Sequence, residues 1–180
     1  MSKTICVFCG SRNGTNPNWI EQASALGSGI AKRGWHLVFG GGSFGLMGAV
    51  SDAAIKNNGI VTGIIPERLT GKEGISPNLS KLHIVKNMRE RKEMMEELSD
   101  AFVIIPGGIG TLEEFFEIWS ARHVGSHNKP IILANWNNFY DGLLQFINQS
   151  QVDGFVTDFH LDKMQVVHSL DELFNLLESY

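Results

Sequence analysis

The chain has 180 residues, and 43% of them are hydrophobic, which is enough for one compact domain with a single well-developed core. Its 15 basic and 19 acidic residues give a net charge of −4, so neither a nucleic-acid backbone nor an anionic membrane surface is expected as its main partner. The first residues lack the features of a secretory signal and no apolar run is as long as a membrane span, so we expect a cytoplasmic protein.

Short apolar runs alternate along the chain with longer amphipathic stretches. The runs are typical of strands that are buried on both faces of a parallel sheet. We predict strands at Ile5–Cys9, Leu37–Phe39, Ile60–Ile65, Phe102–Ile105, Ile131–Ala134 and Gln165–Val167. We predict helices at Pro17–Arg33, Leu46–Asn57, Asn87–Leu98, Thr111–Val124, Phe139–Gln149 and Leu170–Glu178. This alternation indicates an α/β fold with a doubly wound parallel sheet, in a single domain over residues 1–180.

The only two cysteines, Cys6 and Cys9, fall in the first predicted strand. Side chains three residues apart in a strand point to opposite faces, and a zinc site would need more ligands close by. We therefore predict two buried thiols that are not linked. Farther along, the segment Pro66–Lys86 has no clear periodicity, which predicts either a binding loop or a poorly ordered connection.

Two of the predicted strands end in glycine-rich turns that lead directly into helices. The first turn is Gly40–Gly45 and the second is Pro106–Thr111. Glycine lets the backbone approach an anion closely, and the first turn of a helix offers unpaired N–H groups and a partial positive charge. Each turn is therefore a candidate phosphate cradle, although glycines also serve ordinary tight turns between a strand and a helix.

The first glycine turn also fits the G-x-G-x-x-G pattern of dinucleotide-binding folds. Gly40, Gly42 and Gly45 match the pattern, and Glu67 lies past the next strand, where such folds keep an acid for the ribose. A nicotinamide-dependent enzyme is therefore an alternative. We disfavour it because the pattern follows the second strand and the predicted sheet leaves no residues for a substrate domain.

Arg91 lies on the apolar side of a predicted helix. A helical projection places it in the middle of an arc formed by Met88, Met94, Met95 and Leu98. A guanidinium cannot lose its charge, so an arginine that faces the interior needs a carboxylate or a phosphate as partner. An internal ion pair, a side chain that reaches back to solvent and a bound anion all remain open from this pattern alone.

Glu113 and Glu114 follow the second glycine turn. Thr111 and Glu114 have the spacing of a capping box, which gives Glu114 a structural role. The same position also directs a carboxylate toward whatever the turn binds. None of the six histidines has the spacing of a metal-binding motif beside a glutamate, so no metal site is expected.

Three motifs carry a resemblance that extends over nearly the whole chain: Gly40-Gly41-Gly42-x-x-Gly45-Leu46-Met47-Gly48, Met88-x-x-Arg91-Lys92 and Pro106-Gly107-Gly108-x-Gly110-Thr111-x-x-Glu114. Together they resemble the LONELY GUY family of cytokinin riboside 5′-monophosphate phosphoribohydrolases. The resemblance implies a Rossmann-like sheet and hydrolysis of the N-glycosidic bond of a nucleoside 5′-monophosphate. It also implies a homodimer with the active site between subunits, no organic cofactor and no metal.

By position, the resemblance assigns catalysis to Arg91 and Glu114. The residues that we predict to contact the substrate or its phosphate are Gly10, Ser11, Gly41, Gly42, Ser43, Glu73, Lys92, Gly107, Gly108, Ile109, Gly110, Thr111, Leu112, Glu113 and Ser120. The sequence departs from the family at Arg89, where histidine is usual, and at Ala121, where tryptophan is common. The catalytic assignment does not depend on Arg89, whereas Ala121 leaves the choice between AMP and a cytokinin nucleotide open.

The expected chemistry is that of glycoside hydrolysis. Loss of the base from C1′ gives the ribose oxocarbenium character, which a carboxylate such as Glu114 can stabilise. Arg91 would pair with substrate oxygens or with Glu114 and keep that carboxylate ionised. One alternative is a non-catalytic carrier of nucleotides or molybdenum cofactor with the same fold. Decarboxylation of an amino acid would need pyridoxal phosphate and a lysine, and Lys92 is the only candidate.

Overall fold

In the computed structural model, which describes residues 2–180, seven parallel strands form one sheet. The strands are β1 Thr4–Phe8, β2 His36–Phe39, β3 Ile60–Pro66, β4 Lys81–Val85, β5 Ala101–Ile104, β6 Ile131–Ala134 and β7 Gln165–Val167. The helices are α1 Asn18–Lys32, α2 Gly45–Lys56, α3 Thr70–Glu73, α4 Met88–Leu98, α5 Ile109–His123, α6 Asp141–Val152, α7 Asp158–Leu161 and α8 Leu170–Glu178. The strand order β4-β3-β2-β1-β5-β6-β7 confirms the predicted doubly wound α/β fold.

Each face of the sheet carries its own layer of apolar side chains. Ile5 and Val7 of β1 pack in the layer covered by α1, α2 and α8, whereas Phe8 packs in the layer under α4, α5 and α6. Cys9 belongs to the first layer and Cys6 to the second, and both are buried free thiols, which confirms that prediction. No helix in residues 2–180 is both long enough and apolar enough to cross a membrane.

The segment between β3 and α4 is more ordered than its sequence predicts. It forms a short 3-10 turn at Glu67–Leu69, then α3, then β4 at the edge of the sheet. Side chains such as Ile84 are exposed on β4, and Lys81 and His83 interrupt the apolar pattern. An edge strand needs no continuous apolar run, and periodicity therefore does not reveal it.

Helix α5 begins earlier than predicted, and the proposed capping box is wrong. The N-cap is Gly108, and the N–H of Leu112 donates to the Gly108 carbonyl at 3.1 Å to close the first turn. Thr111 and Glu114 therefore lie inside the helix, where both side chains turn inward and are buried. The glycine turn starts the helix without a side-chain cap, which leaves Glu114 free for another role.

Candidate active site

A cavity of about 630 Å³ opens at the carboxyl edge of the sheet. Five segments contribute to its walls: the turns that follow β1, β2 and β5, and the first turns of α4 and α5. The predicted site residues that line it are Gly10, Ser11, Glu73, Arg91, Gly107, Gly108, Ile109, Gly110, Thr111 and Glu114. The fold thus brings both predicted catalytic residues and the second glycine turn to one cavity.

Close backbone contacts join the turn after β1 to both glycine turns. The Gly10 N–H donates to the Pro106 carbonyl at 3.1 Å, and the Gly10 carbonyl accepts from the Leu46 N–H at 3.0 Å. A Cβ on Gly107 would lie 2.8 Å from the Gly10 nitrogen and would overlap the Thr111 hydroxyl. Only glycine fits there, so the start of α5, with its unpaired N–H groups, is held at the cavity wall.

Arg91 lies in the first turn of α4, and the residue is 4% exposed. The Asn87 side chain caps this helix and fixes where the turn begins. The Nη2 group of Arg91 donates to the Gly40 carbonyl at 2.8 Å and lies 3.7 Å from Glu73 Oε2. Arg91 therefore faces the interior, and of the partners that the sequence left open the structure supplies the carboxylate of Glu73.

Glu114 lies one turn into α5 and is 9% exposed. None of the ion pairs within residues 2–180 involves its carboxylate, and the residue lines the cavity. Burial raises the pKa of Glu114 to about 7; Arg91 opposes the rise, while Glu113 and Glu73 add to it. Arg91 thus favours the ionised form, as expected, but desolvation outweighs its attraction, and the guanidinium lies beside the Glu73 carboxylate.

Most of the first glycine turn lies outside the cavity and holds the segment that carries Glu73 in place. Gly41, Gly42 and Ser43 do not line the cavity, although we predicted them as phosphate contacts. Instead, the Ser43 N–H donates to the Glu73 carbonyl, and the Ser76 N–H donates to the Gly41 carbonyl, each at 3.0 Å. These bonds hold the segment that carries Glu73 against the turn, so that its carboxylate faces Arg91.

The remaining predicted contacts lie outside the cavity. Lys92 forms ion pairs with Glu113 and Glu117 along the outer side of α4 and α5. Leu112 is partly buried and packs against the core, and Ser120 is exposed on α5.

A second cleft, of about 490 Å³, lies between α4 and α5. Lys92 and Glu114 both border it, so Glu114 lies between the two cavities. The two departures from the family, Arg89 and Ala121, also line this cleft. The departures therefore alter its lining and leave that of the larger cavity unchanged.

The larger cavity is also lined by residues that the sequence does not identify. Arg12, Trp19, Leu69 and Phe139 line it, and the rings of Trp19 and Phe139 meet edge to face with their centroids 5.6 Å apart. These residues lie in loops or at helix starts, where apolar periodicity carries no information. The one available signal was that Arg12 directly follows the predicted contacts Gly10 and Ser11.

The residues present fit neither a metal ion nor pyridoxal phosphate. Within residues 2–180, no three histidine, cysteine, aspartate or glutamate side chains are grouped so that they could hold a metal ion. No lysine of this range lines the larger cavity, and Lys92 is held by two glutamates outside it. A Schiff base to a cofactor in this cavity therefore has no lysine to form it.

Comparison with known proteins identifies relatives over most of the chain. A family model described as "possible lysine decarboxylase" matches residues 47–177. A cytokinin riboside 5′-monophosphate phosphoribohydrolase of Rhodococcoides fascians is 44% identical over 156 residues, which cover 86% of this chain and 79% of that protein. One of Mycobacterium marinum is 38% identical and covers 94% of this chain and 90% of its own length.

Solved structures share the same architecture. The molybdenum cofactor binding protein of Rippkaea orientalis superposes with a TM-score of 0.76 over 99% of this chain and 97% of its own, at 24% sequence identity. At this identity the likeness concerns the fold.

Proposed function

The chain belongs to the LONELY GUY family of cytokinin riboside 5′-monophosphate phosphoribohydrolases, and we propose that it hydrolyses the N-glycosidic bond of nucleoside 5′-monophosphates. AMP and cytokinin riboside 5′-monophosphates are the proposed substrates, and the free base and ribose 5-phosphate are the products. The observation that carries this proposal is that the buried Glu114 and Arg91 share a cavity with the start of α5.

The substrate phosphate is proposed to lie at the start of α5. The N–H groups of Gly108, Ile109 and Gly110 have no partner within the helix, and the helix dipole adds a partial positive charge there. The ribose then lies toward the middle of the cavity, near Glu114 and Arg91. The phosphate is remote from the bond that breaks, so its binding serves to position C1′.

Glu114 is the proposed catalytic carboxylate. Breaking the bond between C1′ and the base leaves positive charge on the ribose, and a carboxylate in a desolvated site stabilises such charge strongly. A water molecule then adds its hydroxyl to C1′, and its proton ends on the departing base nitrogen. A pKa of about 7 suits Glu114 to move that proton near neutral pH. Arg91, fixed by Gly40 and Glu73, orients the substrate hydroxyls.

A non-catalytic carrier is the alternative that the fold leaves open. A carrier of an anion gains nothing from a desolvated carboxylate beside the anion, since burying that charge destabilises the protein and the charge repels the anion. The burial of Glu114 therefore favours an enzyme.

A homodimer is proposed as the assembled form. The outer faces of α4 and α5 carry Leu98 and Phe116, whose side chains are 43% and 39% exposed. Lys92 and Ser120, predicted to contact substrate yet outside the cavity, lie on the same two helices. A second copy docked on this face would cover the apolar side chains and bring both residues to a site. Light scattering should give twice the chain mass of 19.9 kDa, and a monomer would contradict the proposal.

The reaction is tested by product analysis. The purified protein is incubated with AMP, isopentenyladenosine monophosphate or adenosine, and the products are separated by chromatography. We expect free base and ribose 5-phosphate from both nucleotides, and a far slower reaction of adenosine because it lacks the phosphate. Glu114→Gln should abolish turnover, whereas Glu21→Gln on the exposed start of α1 should not. Nucleotides that remain intact, yet raise the melting temperature, would favour a carrier.

A further inference from the structure

The buried charged groups that line the larger cavity provide no net positive charge to bind a phosphate dianion. Arg91 is already compensated, because its guanidinium lies 3.7 Å from the Glu73 carboxylate and donates to the Gly40 carbonyl. Glu114 adds a second carboxylate to the same lining. These buried groups together are neutral or negative, and a phosphate that enters among them meets no free positive charge.

Arg12 is the one other charged residue, among the described residues, that lines this cavity. Its side chain is exposed, and within residues 2–180 it forms no ion pair with a carboxylate. It is therefore a full positive charge at the cavity wall that no protein group neutralises. An uncompensated arginine beside anion-binding backbone is well suited to phosphate recognition.

The backbone of Arg12 is held in place although its side chain is free. The turn that carries it is bonded to Pro106 and Leu46 through Gly10. Gly45, at φ 62°, approaches so closely that a Cβ there would overlap the backbone nitrogen of Arg12. The Cα of Arg12 is thus fixed between the two glycine turns, and the guanidinium shares a cavity with the start of α5.

The start of α5 supplies only part of the charge that a phosphate needs. A phosphate monoester carries roughly −1.5 to −2 charges near pH 7, whereas a helix start offers about +0.5. We propose that Arg12 binds the outer oxygens of the substrate 5′-phosphate and thereby determines the preference for nucleotide over nucleoside. This inference rests on the proposed function, since it names a further contact for the same substrate.

Kinetics with and without the phosphate test the role of Arg12. Arg12→Ala should lower kcat/KM for AMP about 10- to 100-fold, mainly through KM, as expected for a lost charge-assisted bond to phosphate. Its kcat/KM for adenosine should stay within about twofold of wild type. Arg12→Lys should fall between, because lysine keeps the charge and loses the planar fork.

The control is Arg68→Ala, which removes an exposed arginine from the turn Glu67–Leu69 at the same edge of the sheet. Arg68 does not line the cavity, so its loss should change kcat/KM less than about threefold. An equal loss in the Arg12 and Arg68 variants would indicate general attraction of anions and would overturn the assignment.

Binding of ribose 5-phosphate, measured by calorimetry, separates this inference from the proposed reaction. Wild type should bind it, and Arg12→Ala should bind it about 10- to 100-fold more weakly. Equal affinities would overturn the role of Arg12. Wild type that binds ribose 5-phosphate through Arg12 but leaves AMP intact would refute the reaction alone. Failure of wild type to bind ribose 5-phosphate would overturn the role of Arg12, whereas the reaction itself is judged by the products formed from AMP.

Discussion

Replacement of Glu114 by glutamine should remove activity and, at alkaline pH, stabilise the protein. Burial raises the pKa of Glu114 from 4.5 to about 7, so the folded protein binds this proton more tightly than the unfolded chain does. The contribution of this proton to the free energy of unfolding is therefore fully present below pH 4.5, and it is lost as the pH rises through about 7. Glutamine has nearly the same volume and no charge, so the variant escapes this loss.

The size of the effect follows from the difference between the two pKa values. Each pKa unit corresponds to about 1.4 kcal/mol, so ionised Glu114 lowers the free energy of unfolding by about 3 kcal/mol above pH 8. Roughly 2 kcal/mol of this loss develops between about pH 5.5 and pH 8.5. The stability of Glu114→Gln relative to wild type should therefore increase by about 2 kcal/mol across that range.

Urea denaturation followed by tryptophan fluorescence at both pH values measures this change. Comparing the two proteins at each pH cancels the constant cost of burying an amide in place of a carboxyl group. Glu21→Gln, on an exposed helix start, should show no such pH dependence. A stability difference between Glu114→Gln and wild type that stays constant from pH 5.5 to pH 8.5 would refute the raised pKa.

Two further changes test the supports of the site. Arg91→Lys keeps the charge but loses the planar guanidinium, whose Nη2 contacts both the Gly40 carbonyl and the Glu73 carboxylate, so kcat should fall at least about 100-fold with an unchanged circular dichroism spectrum. Near-normal turnover would contradict this. Gly107→Ala should lower the free energy of unfolding by about 1–3 kcal/mol, because the new Cβ lies 2.8 Å from a backbone nitrogen. Gly108→Ala, whose new Cβ would lie in open space, should change the free energy of unfolding by less than about 0.5 kcal/mol. If urea denaturation showed equal losses for the two alanine variants, the close approach of Gly107 to Gly10 would be contradicted.

The sequence predicts the inner strands of the sheet well because they are buried on both faces. Such strands carry continuous apolar runs, as in β5 and β6, and the local sequence alone is enough to recognise them. The edge strand β4 pairs only with β3 and exposes Ile84, so its pattern is lost among charged residues. The start of α5 was misplaced because Gly108 caps it, while Thr111 has the spacing of a cap and instead packs inward.

Within the site, the sequence reveals a residue when its chemistry conflicts with its position. Arg91 stood out because a permanent charge interrupts an apolar helix face. Glu114 did not, because its spacing also suits a structural cap, and only the resemblance singled it out. The pairing of Arg91 with Glu73 and the exposure of Arg12 to the cavity depend on contacts between distant segments, which local periodicity does not encode.

The topology explains why these distant residues meet. From β1 the chain builds the sheet outward through β2, β3 and β4, then crosses back over one face along α4 to place β5 on the other side of β1. The reversal opens a crevice above the carboxyl ends of β1 and β5, where α4 and α5 both begin. Arg91 comes from the returning helix and Glu114 from the next one, so each side of the reversal contributes one member of the pair. Because the turn after β1 lies at the same point, Arg12 can reach a phosphate at the start of α5 while C1′ lies over Glu114.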